Sequence, residues 1–182
     1  EFMKCSQIVQ AEAMKYLIEL FRAKKWSKTG LIWWNVIDCW PQFSDAVVDY
    51  YYVRKLAYYY IKNAQKPVSL IVSDPEAWGC RLTAVNDTAA PAAGHYKVTD
   101  IETGEVFAEG EYEASADSAA EIDYFKVCQA DKRMLLIEWE NNGEVSYNHY
   151  LLGSAPFDLD RYLGWLRKLD EKIYSAIGRH EW

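Results

Sequence analysis

The spacing of apolar and polar positions changes character along this chain. Between residues 6 and 25, Ile8, Val9, Met14, Tyr16, Leu17, Leu20 and Phe21 recur at helical intervals. Ser6 is placed to cap the start, and Lys24 and Lys25 suit the negative end of the helix dipole. After Thr29-Gly30 comes Leu31-Ile32-Trp33-Trp34-Asn35-Val36-Ile37, a short and almost wholly apolar run. It reads as a strand buried on both faces, as in a parallel sheet. Pro41 and Ser44 fall in a loop, and a second helical pattern runs from about Tyr51 to Asn63. A doubly buried strand needs neighbours to satisfy its backbone, and no second parallel strand follows. The helix–strand–helix segment therefore cannot be a domain by itself.

From Pro67 the period falls to two. Val68–Val72, Cys80–Asn86, His95–Asp100, Val106–Tyr112, Ala120–Cys128, Met134–Glu140 and Val145–Leu152 are strand candidates, with turn residues between them and a hairpin signal at Asn142-Gly143. Short strands at this spacing predict an immunoglobulin-like β-sandwich of seven strands. Asp158 or Asp160 can cap a closing helix whose apolar stripe is Leu159, Tyr162, Leu163, Leu166, Leu169 and Ile173. The predicted class is α+β, mostly β.

Composition narrows the chemistry. With 182 residues, 51% of them apolar, the chain can bury a sizeable core. Its net charge of −7 argues against nucleic acid as a partner, and no apolar run spans a bilayer, so no membrane is expected. No signal-peptide pattern precedes the first helix. Cys5, Cys39, Cys80 and Cys128 are far apart and form no CxxC, so reduced and mostly buried thiols are expected, with a lean toward a cytoplasmic setting. The 8 Trp, 14 Tyr and 6 Phe are denser before residue 61. Aromatics of this number build cores, and their flat faces also stack on sugar rings.

One series of motifs carries a resemblance. Gly30-Leu31-Ile32-Trp33-Trp34-Asn35-Val36-Ile37-Asp38-Cys39-Trp40-Pro41 is followed by Asp49-Tyr50-Tyr51 and Lys55-Leu56-Ala57-Tyr58-Tyr59. This resembles the end of the catalytic barrel of family 2 glycoside hydrolases, in particular their β-mannosidase-like branch. Leu82-Thr83-Ala84-Val85-Asn86-Asp87-Thr88, Thr103-Gly104-Glu105-Val106 and Asn148-His149-Tyr150-Leu151 resemble the sandwich domain that follows the barrel. The resemblance implies residues 1–65 as the last β/α repeat of a (β/α)8 barrel, 66–153 as the sandwich and 154–182 as a C-terminal helix. It implies Trp34, Asn35, Asp38 and Trp40 as substrate-binding residues at the C-terminal end of a barrel strand. Trp33 would face outward onto the helices, Asp38 could equally cap the loop, and Trp40 could pack beneath it. Where many relatives carry Asn, this chain has Ile37, which leaves the sugar preference open.

No catalytic residue is expected in this chain. Retaining glycosidases need two carboxylates roughly 5–5.5 Å apart, and the family's Asn-Glu and nucleophilic Glu motifs are absent from these residues. Asp45 and Asp49 suit capping, and His95, His149 and His180 have no ligand spacing, so no metal or cofactor is expected. The implied partners are a carbohydrate substrate in a parent enzyme and the rest of the barrel, with self-association of the isolated chain. The competing reading is a non-catalytic carbohydrate-binding sandwich module, for which Trp78 is the candidate platform.

Overall fold

A computed structural model of the chain describes residues 1–128 and 130–174. Helix α1 spans Phe2–Ala23 and helix α2 Leu56–Ala64. Seven antiparallel strands follow: β1 (Val68–Val72), β2 (Gly79–Asn86), β3 (Ala92–Asp100), β4 (Val106–Ala114), β5 (Ser118–Lys126), β6 (Arg133–Asn141) and β7 (Glu144–Leu152). Helix α3 (Leu159–Leu169) continues into a π-helical turn at Asp170–Tyr174.

The strands form two sheets, ordered β1-β2-β5 and β4-β3-β6-β7. Their inner faces share one core that includes Leu70, Leu82, Val98, Ile137 and Trp139. Asn142 and Gly143 both take positive φ, as the tight β6–β7 hairpin requires. Strand β6 is buried on both sides. Leu135, Ile137 and Trp139 enter the sandwich, whereas Met134 and Leu136 turn to a second core built from α1, α2 and α3. The helices thus form a third layer over the outer face of the four-stranded sheet.

Polar contacts fix this layer. Arg22 of α1 and Lys25 just beyond its end both pair with Asp87, and Lys25 also pairs with Asp117. Arg22 donates to the carbonyls of Ala64 and Lys66 as well. The Asn86-Asp87-Thr88 turn therefore ties helix to sandwich, while the Asn86 side chain holds the turn itself by accepting from the Thr88 amide.

Several expectations are corrected. No strand forms over Leu31–Ile37; the segment is extended, and Ile37 pairs with Val48 as an isolated bridge. An apolar run becomes a strand only when neighbouring strands take up its amides and carbonyls, and among the described residues no strand lies beside it; Val47 and Val48 bond Asn35 and Val36 from one edge. Helix α1 starts before Ser6, which caps nothing, and α2 starts at Leu56 rather than Tyr51, because Asp49 holds residues 49–53 in a turn. The buried face of α1 is Ile8, Ala11, Lys15, Ile18 and Glu19, while Val9 and Tyr16 are exposed. Asp158 caps α3 by accepting from the Arg161 amide at 2.7 Å. Trp165 joins the stripe of α3. Three thiols, those of Cys5, Cys39 and Cys128, are exposed and only Cys80 is buried. His180 and the last residues of the 154–182 segment lie outside the described residues.

Candidate functional site

The candidate site is the extended segment and loop between α1 and α2. Along Leu31–Val36 burial alternates: Leu31, Trp33 and Asn35 turn toward the protein, whereas Ile32, Trp34 and Val36 face out. Leu31 and Trp33 pack on the helical core. Ile32 is 98% exposed and Trp34 77%. The peptide between Trp34 and Asn35 is cis. One step in register moves a side chain to the opposite face of an extended chain, so the neighbouring indoles have opposite roles.

The inner edge of this segment is held by backbone bonds. The amides of Val47 and Val48 donate to the carbonyls of Asn35 and Val36, at 3.3 and 2.9 Å, and the Asp38 amide donates to Val48 at 3.1 Å. Asp38 is the buried hub of the following loop. Its Oδ1 accepts from Gln42 Nε2 at 2.9 Å and from the Ser44 hydroxyl, and Lys55 Nζ lies 3.7 Å from Oδ2. The Ser44 hydrogen bond, with help from Gln42 and Lys55, holds the Asp38 carboxyl below its ordinary range against the opposing effect of burial. Lys55 also donates to the Ser44 carbonyl at 3.2 Å. Asp49 Oδ1 accepts from the amides of Tyr51 and Val53 at 2.9 and 2.8 Å, the capping role expected of it. Gln10 of α1 reaches the Asp45 carbonyl at 2.5 Å, so α1 braces the loop from beneath.

Around this frame the aromatic side chains point outward. Trp40, Phe43, Tyr51 and Tyr52 are exposed together with Trp34. Asn35 Oδ1 and Asp38 Oδ2 are buried without a hydrogen-bond partner. The structure thus places Trp34 and Trp40 on the surface of one loop system and Asn35 and Asp38 within it. A separate cleft of about 600 Å³ lies on the other side of the segment, lined by Lys25, Trp26, Lys28, Trp33, Asp87 and Asp117. Among the described residues, no group of three or more His, Cys, Asp or Glu side chains could hold a metal ion. No helix among them is long and apolar enough to cross a membrane.

A second polar centre escaped the sequence reading. His149 on β7 is fully buried, with Nε2 3.2 Å from Glu12 Oε1 and Nδ1 3.0 Å from the Tyr174 hydroxyl. Tyr162 donates to Glu12 at 2.5 Å and lies 2.8 Å from the Tyr60 hydroxyl. Beside them Lys15 pairs with Glu19 at 2.6 Å, and Asn148 donates to Glu19 at 2.8 Å. These groups link α1, α2, β7, α3 and the π-helical turn that follows it. The legible signal was the Lys15/Glu19 pair, one helical turn apart on the same face as Ile8, Ala11 and Ile18.

No family model matches the chain. Over 90% of its length the chain is 25% identical to β-mannosidase B of Thermothelomyces thermophilus, of which it covers 22%. It is 33% identical to β-mannosidase B of Emericella nidulans over 73 residues, covering 38% of the chain and 8% of that protein. Its fold matches a β-D-mannosidase from Dictyoglomus thermophilum with a TM-score of 0.69 and 28% identity, across 81% of the chain and 19% of that structure. In sequence and fold the chain resembles the C-terminal part of family 2 glycoside hydrolases. An exo-chitosanase of Amycolatopsis orientalis shares the fold at a TM-score of 0.60 and 20% identity. The chain spans about a fifth of the length of the Thermothelomyces and Dictyoglomus proteins it matches.

Proposed function

We propose that this chain is the C-terminal portion of a retaining glycoside hydrolase that cleaves β-linked sugars, β-mannosides first, and that it is not catalytic alone. Residues 1–65 would close a (β/α)8 barrel as its last repeat, residues 66–153 would brace it as an immunoglobulin-like sandwich, and residues 154–182 would supply the terminal helix. The single observation that carries this reading is the alternation at Leu31–Val36. One face is packed on helices and the other, with Ile32, Trp34 and Val36, is open to solvent. A barrel strand whose neighbours lay on other parts of the polypeptide would show this alternation. The three-plus-four strand order of the sheets supports the immunoglobulin-like assignment.

In the complete enzyme Trp34 and Trp40 would wall the sugar site and stack on pyranose faces. Asn35, whose side-chain oxygen is buried on the inner side, would serve the site by ordering the backbone that carries Trp34. Asp38, enclosed by Gln42, Ser44 and Lys55, would act chiefly by fixing the loop that carries Trp40. The acid/base and nucleophile would come from the preceding polypeptide. The open apolar face of the isolated chain would drive self-association.

The test is hydrolysis of aryl β-mannoside, galactoside, glucuronide and glucoside by the 182-residue chain and by the longer protein from the same reading frame. A silent chain beside an active longer protein supports the proposal and identifies the sugar. Turnover by the chain itself would overturn it.

A further inference from the structure

The hairpin between β1 and β2 has an improbable tip. Glu76 and Gly79 exchange backbone hydrogen bonds at 2.8 and 3.2 Å, so Ala77 and Trp78 form a two-residue turn. Both have positive φ, 51° and 67°. Asn-Gly is the usual solution, because side chains with a Cβ are strained there and bulky ones most of all. The same molecule uses it at Asn142-Gly143, where β6 joins β7. The β1–β2 turn instead holds an indole in an unfavourable conformation and leaves it 73% exposed. Strain of this kind persists where surrounding structure enforces it, and such positions cluster at ligand sites.

The enforcement is visible. Tyr124 on β5 donates its hydroxyl to the carbonyls of Glu76 and Ala77, at 3.0 and 2.6 Å. Its ring fills the space beside Gly79, where a Cβ would come within 2.4 Å of Tyr124 Cζ. The Val127 amide binds the Trp78 carbonyl at 3.0 Å. At the base of the turn Arg81 pairs with Glu121 at 2.7 Å and with Glu76 at 3.6 Å, all of them solvent-accessible. A rigid indole face beside fixed guanidinium and carboxylate groups matches a pyranose ring, which presents an apolar face and a rim of hydroxyls.

We infer that Trp78 is a carbohydrate-binding platform on the sandwich, separate from the loop system of Trp34 and Trp40, and that it holds β-linked polysaccharide. The choice of a mannan as first ligand rests on the function proposed above; the platform itself does not.

The test is affinity electrophoresis of the 182-residue chain in gels containing soluble galactomannan, mixed-linkage β-glucan or no polysaccharide. The comparison protein is Ala77→Asn/Trp78→Gly, which supplies the preferred turn residues and should melt no lower than the parent chain. Galactomannan should retard the parent chain, and the double variant should show at least a tenfold weaker apparent affinity. Retardation by β-glucan alone, abolished in the variant, would support the platform while counting against mannosides as the enzyme's substrate. Absence of retardation in both gels, or equal retardation of the two proteins, would overturn the inference.

Discussion

His149 Nε2 and Glu12 Oε1 lie 3.2 Å apart in the seam between the first helix and the last strand, 137 residues apart in sequence. Tyr162 donates to the same Glu12 oxygen, Tyr174 binds the other ring nitrogen of His149, and Tyr60 stacks on Tyr174 at 5.0 Å between ring centres. A buried network of this kind is costly to leave half-made. Glu12→Ala removes the acceptor of both His149 and Tyr162. It should lower the unfolding free energy by about 3 kcal/mol, the scale for breaking a buried polar pair. Urea denaturation followed by tryptophan fluorescence measures it; a change below about 0.5 kcal/mol would mean that water replaces the carboxylate.

The same pair sets an acid dependence. Burial pushes the His149 pKa down, against the pull of Glu12. For Glu12 burial acts upward but is outweighed by His149, Lys15 and the Tyr162 hydroxyl, so its pKa is lowered. Both groups bind protons more readily in the unfolded chain, and both therefore lose stabilising free energy on acidification. The His149 contribution is complete above its unfolded value of about 6.5 and declines below it; that of Glu12 declines below about 4.3. Urea midpoints should fall from about pH 6.5 downward. In His149→Gln the first part of that fall should disappear, and an unchanged profile would remove His149 from the account.

The two adjacent tryptophans should behave oppositely in the isolated chain. Trp33 packs on the helical core and Trp34 is open to solvent. Trp33→Ala should cost about 1–2 kcal/mol for the half-buried apolar surface it gives up. Trp34→Ala should stay within about 0.5 kcal/mol, as exposed substitutions do. In the longer enzyme the ranking should reverse for hydrolysis, with Trp34→Ala losing the most activity. Equal destabilisation by both would show that the register assigned to this segment is wrong.

Thiol chemistry should divide three to one. Cys5, Cys39 and Cys128 are exposed, whereas burial, aided by the nearby Asp74 carboxylate, pushes the Cys80 thiol up to about 12. The thiolate is the reacting species, so Cys80 is doubly protected. Iodoacetamide at neutral pH should modify three residues quickly and Cys80 only on unfolding. Peptide mass mapping reads this directly, and early labelling of Cys80 would show that the sandwich opens.

What the sequence determined by itself was the sandwich and its turns. Period-two patterns located the strands from Val68 to Leu152, and Asn142-Gly143 marked a hairpin, because alternation and positive φ are local demands. The motif series from Gly30 to Tyr59 pointed to the family. Tertiary structure decided the rest. Leu31–Ile37 had the composition of a strand, but strand formation depends on neighbouring strands, and among the described residues none pairs with it beyond the single bridge to Val48. Lys15 and Glu19 lie on the apolar face of α1, but their partners there, Asn148 and the His149 carbonyl, come from β7. Pairing partners far apart in sequence let charges be buried, and no local pattern records which partner will arrive.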